Sequence, residues 1–467
     1  MPEKATGSDS LELRKEFPPV HTSEWEAAIS RDLKGADYEK KLVWRTEEGI
    51  AVRPYYRSEH VAGLPPQRAA GRWTIAQDAT PGPDVIRADL LHEAGAHAVQ
   101  ELGYALAAGV ERLALLTEKE PLEKAASKVE FVFAVGPYYF TEIAKLRAAR
   151  LLWAQAVSAF GAAPAEAARM RLAVRTPRRN KSVLDRYTNL LRVTTEALSA
   201  VIGGCDQLTV EPFGFDEHLA LNVQHILQEE SHVDAVADPA GGSYYVEALT
   251  DAIARAAWKL FQEVEAAGGW SKALATGTVE QALAETRVSR EKAVSGRRRA
   301  LVGVNNYPNL TEKEPEVAAP PAAPSTLPLP RPRMAEPFER IRLRTLAHAK
   351  ATGKTPKVLL LARGDAKMRS ARAGFCLNFF GCAGFDVVEG DALLPDADLV
   401  VLCSSDAEYL ALAQEVCPKV KVPVLVAGNP KDQLDALTAA GVQGFVHIQS
   451  DAVETLTHWQ DRLGLRR

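Results

Sequence analysis

The sequence predicts an α/β protein built on two separate parallel sheets, and three observations predict it. Residues 72–235 alternate β-type and helix-type patterns, the βαβα order of a parallel sheet with helices outside it. Residues 314–332, EPEVAAPPAAPSTLPLPRP, are proline-rich and read as a stiff, extended linker. Residues 355–467 hold five short apolar runs separated by helical stretches, which fits a flavodoxin-like, doubly wound domain.

Composition narrows the class. A chain of 467 residues can bury large cores in two or three domains. Its 46% hydrophobic and 25% charged residues are those of an ordinary globular protein. The net charge of −4 argues against nucleic acid or an anionic membrane as the main partner. No apolar run approaches the roughly 20 residues that span a bilayer. The opening MPEKATGSDSLELRKEF lacks the apolar core of a signal peptide. Cys205, Cys376, Cys382, Cys403 and Cys417 are scattered and show no Cys-x-x-Cys spacing, so reduced thiols in a cytoplasmic protein are expected, with no metal site.

The elements follow in order. Residues 1–70 read as an N-terminal arm, with a short helix over Trp25–Leu33 and a strand–turn–strand over Leu42–Pro54 around Glu48-Gly49. Strands are expected over Arg72–Gln77, Asp84–Leu91, Lys128–Val135, Met170–Thr176 and Gln207–Phe213. Helices are expected over Ala94–Ala108, stopped by Gly109, over Tyr139–Phe160, ended by Gly161, and from Leu184 to Ile202. Asp238-Pro239 and Gly241-Gly242 form a turn, followed by an extended stretch Ser243–Glu247. Thr250 then caps a helix whose face is Ile253, Ala257, Leu260 and Val264 and which ends at Gly268-Gly269. A helical tail fills 270–315. In the last module the strands are Val358–Ala362, Phe385–Val388, Leu399–Cys403, Val424–Ala427 and Phe445–Ile448.

Several strings carry a resemblance. DPAGGSYYVE at 238–247, FTEIAKLRAARLLW at 140–153, Glu93-Ala94-Gly95-Ala96, Gly203-Gly204, Glu229-Glu230-Ser231 and Val302–Asn306 together resemble the methylmalonyl-CoA mutase family. The resemblance implies an arm that wraps a partner subunit, an eight-stranded β/α barrel, and a cobalamin-binding domain. One departure is large. After Trp73–Gln77 the family has a long run of strands, yet here only residues 78–92 precede the Glu-Ala-Gly-Ala string. Eight β/α units need about 250 residues. Roughly three units are therefore missing, and the expected fold is a partial TIM-type barrel of about four to five strands plus the flavodoxin-like domain. The expected boundaries are 1–70 for the arm, 71–315 for the truncated barrel with its tail, 316–354 for the linker and a helix, and 355–467 for the cobalamin-type domain. The open sheet edges must be covered by a partner or by the arm.

The resemblance also tells which positions should carry chemistry. The cobalt-binding loop of such domains reads Asp-x-His-x-x-Gly. Here Lys367, Arg369 and Arg372 stand at its aspartate, histidine and glycine positions. A guanidinium has no lone pair and stays protonated, so Arg369 cannot bind cobalt. Ser404, Ser405 and Gly428 stand where the family lines its cofactor pocket, a vestigial pocket or simply strand-end residues. The family's Tyr-His pair is replaced by Asp89 and Leu90, and His92 occupies a position with a different side chain in the family. In the strand that reads Arg-Thr-His-x-Gln-Thr in the family, Arg171 remains, while Ala173 and Arg175 replace histidine and glutamine. Arg171 and Arg175 are weak substrate candidates. Arg175, Arg178, Arg179 and Lys181 form a basic cluster, read either as a relic phosphate clamp or, more simply, as a charge run on a solvated loop.

Packing strings are kept and chemical positions are replaced. The resemblance thus implies the small, non-catalytic subunit of a heterodimeric mutase, with no cofactor of its own. The adenosylcobalamin and the interconversion of methylmalonyl-CoA and succinyl-CoA would belong to a large partner subunit. The alternatives are a stand-alone scaffold or regulatory homologue, and an isomerase with a rearranged site.

Overall fold

The structure is a computed structural model and describes residues 18–64, 71–76, 82–161, 169–312, 319–320, 325 and 327–466. Gln77, the first 17 residues and much of the proline-rich stretch lie outside these. The chain divides into a unit of residues 1–60 and a unit of residues 61–467.

The small unit holds helix α1 (Thr22–Asp32), one turn of helix α2 (Tyr38–Lys41) and an antiparallel pair, β1 (Trp44–Arg45) and β2 (Ala51–Val52). The strand–turn–strand is as expected, and the helix is longer than expected. Glu24 accepts from the His21 amide and closes the amino end of α1. Trp25 packs on Tyr55 with ring centroids 5.1 Å apart.

The large unit carries two parallel sheets. The first is formed by β3 (Thr74–Ala76), β4 (Val85–Arg87), β5 (Glu130–Ala134), β6 (Arg171–Arg175) and β7 (Gln207–Thr209), in the spatial order β3-β7-β6-β5-β4. Two strands consecutive in sequence, β3 and β4, thus stand at opposite edges. Helices α3 (Ala88–Glu93), α4 (Ala98–Thr117), α5 (Leu122–Lys128), α6 (Tyr139–Phe160), α7 (Thr188–Ile202) and α8 (Glu217–His225) connect the strands or follow them.

Register decides which face is apolar. Ile86, Phe131 and Leu172 stand side by side, as do Phe133 with Val174 and Val174 with Leu208. The Phe131 ring meets Trp153 of α6 at 4.9 Å and packs against Gly109 of α4, so this face lies under the helices. A Cβ at Gly109 would come 2.5 Å from Phe131. Gly109 is therefore a close-approach residue inside α4, not the stop expected from sequence. The opposite face alternates with it. It carries Arg87, Glu130, Arg171, Arg175 and Gln207 around the small buried Val132, Ala134 and Ala173.

Other expectations need correction. The stretch Asp84–Leu91 is a three-residue strand followed at once by α3, in which Ala88 to His92 are all buried. Ser243–Glu247 is not extended. Helix α9 (Tyr244–Ala266) starts there, with the Ser243 hydroxyl accepting from the Val246 amide, while Thr250 is buried inside the helix. The motif has a tertiary reason. Arg147 of α6, 2% exposed, pairs with both Asp238 and Glu247, and Glu247 also accepts from the Gly242 amide. That cluster ties the amino end of α9 to the middle of α6. Val302–Asn306, which the resemblance implied to be a strand, forms a turn closed by a single bridge.

Helices α10 (Trp270–Ala275) and α11 (Thr278–Ser295) complete the tail. Helix α12 (Glu336–Thr352) then leads into the second sheet: β8 (Lys357–Ala362), β9 (Asp386–Gly390), β10 (Leu399–Cys403), β11 (Val424–Ala427) and β12 (Gly444–Val446). Its spatial order is β9-β8-β10-β11-β12, all parallel, with α13 (Ala366–Gly381), α14 (Tyr409–Val416), α15 (Leu434–Ala439) and α16 (Ala452–Arg462) between or after the strands. Both faces are apolar. Leu360, Val401 and Leu425 join one core, and Leu361, Leu402 and Val426 join the other. No helix among the described residues is long and apolar enough to cross a membrane.

Candidate functional site

In parallel α/β sheets, chemistry gathers at the carboxyl ends of the strands, where the connecting loops meet. Both sheets have such an end.

At the first, the ends of β4 to β7 surround a cavity of about 150 Å³ lined by Arg87, Asp89, Glu93, Arg175, Arg178 and Glu211 among others. Asp89 sits at the amino end of α3, and both its oxygens accept from Arg87, at 2.7 and 2.6 Å. Arg175, at the end of β6, pairs with Glu211 beyond β7. Glu93 accepts from the Arg178 amide at 2.6 Å. Leu90 is buried, 3% exposed. Two opposite-charge pairs, Arg87 with Asp89 and Arg175 with Glu211, thus tie the site across, while Glu93 is held by a backbone amide. Arg171 lies elsewhere. It begins β6, about 13 Å from Arg175 along the strand, with its side chain 60% exposed and 3.4 Å from Glu130. The structure therefore does not bring the two substrate candidates together.

The basic cluster is not a solvated charge run. Arg179 is 2% and Lys181 1% exposed. Arg178 donates to the Pro320 carbonyl, and Arg179 donates to the Pro332 carbonyl at 3.0 Å, while the Met334 amide donates to the Arg179 carbonyl at 2.8 Å. Lys181 bonds to Glu196 at 2.7 Å. Burial, followed by the nearby Arg290, pulls the Arg179 guanidinium down to about 10. Arg178 and Arg179 tie the segment before α12 to the loop after β6, and Leu329 within the proline-rich stretch is buried.

His92 is structural. Its Nδ1 lies 3.0 Å from Glu101, which also takes Lys145 at 2.7 Å, and Lys145 reaches Glu142 at 2.5 Å. Burial alone would lower the Lys145 ammonium, but Glu101 and Glu142 outweigh it and raise it. The same contacts hold the Glu101 carboxyl below its ordinary range against burial. This cluster sits behind β5, where Lys145 also donates to the Ala134 carbonyl at 2.7 Å.

At the second sheet, Lys367 and Arg369 lie exposed on the first turn of α13, directly after the β8 loop. Arg372 is one turn further on. It reaches toward Gly428, where a Cβ would be 3.4 Å from its guanidinium carbon, and pairs with Asp406 at 3.2 Å. Ser404 and Ser405 follow β10, and their hydroxyls donate to Glu408 at 2.7 and 2.6 Å. The Ser405 and Asp365 amides donate to the same carboxylate at 3.3 and 3.1 Å. These bonds, the Ser405 and Ser404 hydroxyls first, hold the Glu408 carboxyl down at about 2. The donor set at this end does not fit a corrinoid. Where an imidazole ligand would stand there is an exposed guanidinium, and the serines are spent on Glu408. No group of three or more His, Cys, Asp or Glu among the described residues could hold a metal ion. Cys205, Cys376, Cys382 and Cys403 are buried and unbridged, and burial pushes the Cys205 and Cys382 thiols up to about 12.

Sequence reasoning passed over Glu408 and the Glu101–Lys145–Glu142 cluster. Glu408 had a signal: Ser405-x-x-Glu408 has the Ser-x-x-Glu spacing of a local capping box. The other cluster had only a local one, the i,i+3 pair Glu142 and Lys145, while Glu101 is distant in sequence and all three look like surface charges on two helices.

Comparison with known proteins agrees with the packing strings. The family profile described as Methylmalonyl-CoA mutase matches residues 72–325, more than half of the chain. A methylmalonyl-CoA mutase small subunit of Porphyromonas gingivalis is 33% identical over 617 aligned positions, covering 97% of this chain and 99% of that protein. Because the chain has only 467 residues, the excess positions are residues of the relative with no counterpart here. A methylmalonyl-CoA mutase small subunit of Streptomyces virginiae is 40% identical over 82% of this chain and 65% of its own length. A methylmalonyl-CoA mutase of Cereibacter sphaeroides is 40% identical over 48% of this chain. The chain therefore belongs to the methylmalonyl-CoA mutase family.

Proposed function

We propose that this chain is the non-catalytic small subunit of a heterodimeric, adenosylcobalamin-dependent methylmalonyl-CoA mutase. The observation that carries the reading is the cross-tied strand end of the first sheet. Asp89 and Leu90 take the places of a proton-handling pair, and Asp89 is held by both oxygens to Arg87. A leucine transfers no proton, and an arginine-paired carboxylate is a poor base. The exposed Arg369 supports the same reading for the second domain. The cofactor and the rearrangement between methylmalonyl-CoA and succinyl-CoA belong, in this reading, to a large partner subunit in the cytoplasm.

The first sheet is read as a TIM-type barrel that lacks its second to fourth units. A ring of eight strands stripped of those three leaves the neighbours one-eight-seven-six-five. The order β3-β7-β6-β5-β4 has that pattern, with β3 as one and β4 as five. The unmatched length of the Porphyromonas relative supports the loss. The second sheet, with order 2-1-3-4-5 in its own numbering, is read as a flavodoxin-like cobalamin-type domain that has lost its cofactor.

Co-expression with a large mutase subunit from the same genome tests this. The expected result is a stable heterodimer in which the corrinoid absorbance and the turnover follow the large subunit. A corrinoid spectrum with turnover on this chain alone sinks the reading. Failure to co-elute points instead to a stand-alone scaffold.

A further inference from the structure

We propose that the groove between α12 and α16 is a docking site for an amphipathic helix with an acidic flank, carried by another protein. The groove has a volume of about 1140 Å³ and runs along α12 from Pro337 to Thr352. At about 1.5 Å per residue that is about 22 Å, the length of a helix of roughly 15 residues. None of its lining residues lies in a loop at the carboxyl end of a strand. Its walls are fixed by buried bonds. Gln460 of α16, fully buried, donates to the Ile341 carbonyl at 2.6 Å and to the Thr345 hydroxyl at 2.8 Å. Arg344 pairs with Asp461 at 2.6 Å and donates to the Arg466 carbonyl at 3.0 Å. The two helices therefore hold their spacing, and the groove is formed before any occupant arrives.

Chemistry selects the occupant. Leu343, Ala347 and Ala351 follow one another at helical spacing on α12, with Ile341 and Val453 beside them, so the groove has an apolar lining. Leu343 is 40% exposed. The charged rim has one sign. Arg340, Arg344, His348 and Arg466 line the groove, and among the described residues no aspartate or glutamate does. The chain as a whole carries a net charge of −4, so this is a local reversal of sign. Arg344 is spent on the wall, but the side chains of Arg340, His348 and Arg466 make no ion pair or hydrogen bond with another described residue. Arg340 and His348 stand about 12 Å apart along α12. The cations thus flank the groove over its length and not at one end. A helix with carboxylates along one flank matches that spacing, whereas an acyl chain with a single anionic head would meet one of them.

The test uses the full chain and two synthetic peptides of about 15 residues, both with leucines at the i, i+3, i+4 and i+7 positions of a groove-binding helix. One carries glutamates beside the leucines and the other carries lysines. Wild type is expected to bind the acidic peptide saturably, with a Kd of about 10–100 μM by fluorescence anisotropy. The lysine peptide is expected to bind about tenfold more weakly or worse, and added salt to narrow the difference. Arg340→Glu and Leu343→Glu, both changes at exposed positions, are each expected to weaken the acidic peptide about tenfold. Equal affinity for the two peptides overturns the proposal, as does an acidic peptide that fails to saturate below about 1 mM, or unchanged binding by a folded variant. Should one variant fail to fold, the other decides. A dimer of this chain that Leu343→Glu abolishes would give the groove to a second copy, and saturable binding of palmitate without the acidic peptide would give it to an acyl chain; either result also overturns the proposal. Co-elution with a large mutase subunit is scored separately, so a failure there bears on the proposed function and not on this groove.

Discussion

The second sheet buries side chains on both faces, whereas the first buries one face and leaves charges on the other. In β8, Leu360 and Leu361 point opposite ways and both are fully buried, each in its own core. In β5 and β6, Phe131 and Leu172 are fully or nearly fully buried beneath helices, while Glu130 and Arg171, their immediate neighbours in sequence, pair on the other face with Arg171 well exposed. Parallel sheets are normally covered on both sides. The first sheet avoids that requirement because its second face is polar and its central residues there are small. Covering it with another apolar layer would strand Glu130, Arg171 and Gln207 away from water. Alternation of residue type therefore separates the two sheets, although both have five parallel strands.

Four measurements would break or sharpen this contrast. The largest effect is expected behind the first sheet. Lys145→Met leaves Glu101 and Glu142 buried without their cation, and about 3–5 kcal/mol of stability should be lost in denaturant unfolding; a loss under 1 kcal/mol would show that the cluster is not what anchors β5 to α6. Next, Leu360→Ala and Leu361→Ala should each cost about 2–5 kcal/mol, since both faces of the second sheet are core. If only one of the pair proves costly, the two-faced description fails.

Third, Glu130→Leu combined with Arg171→Leu should change stability by less than about 1 kcal/mol, because an exposed pair contributes little. A large loss would mean that this face is packed in solution. The smallest effect concerns pH. The serine hydroxyls and two amides hold Glu408 at about 2, below its ordinary value of 4.5, so its stabilising contribution is complete above pH 4.5 and is lost as the pH falls through 2. Glu408→Gln should flatten the stability profile over that acid range, and identical acid limbs for variant and wild type would remove the assignment.

Much of the fold was legible in the sequence. The β-rich stretches of the second sheet matched their strands closely because doubly covered strands are continuous apolar runs bounded by polar turns. Tyr139–Phe160 was placed correctly because Gly161 ends it. Residues whose role is set by a distant neighbour were misread. Gly109 looked like a stop but makes room for Phe131. Ser243–Glu247 looked extended because its aromatic residues favour strands, yet the Arg147 pairing and the Ser243 cap settle it as helix. Arg179 and Lys181 looked like a loop charge run, but the segment before α12 covers them.

The sequence by itself determined the family and the alternation of strands and helices, because those follow from residue type and local order. Only the tertiary structure decided that β3 and β4 stand at opposite edges, that the first sheet keeps a polar face, and that the Glu408 carboxylate gathers donors from the loops after β8 and β10. Those depend on which strands become neighbours and which donors converge in space, and no local pattern encodes either.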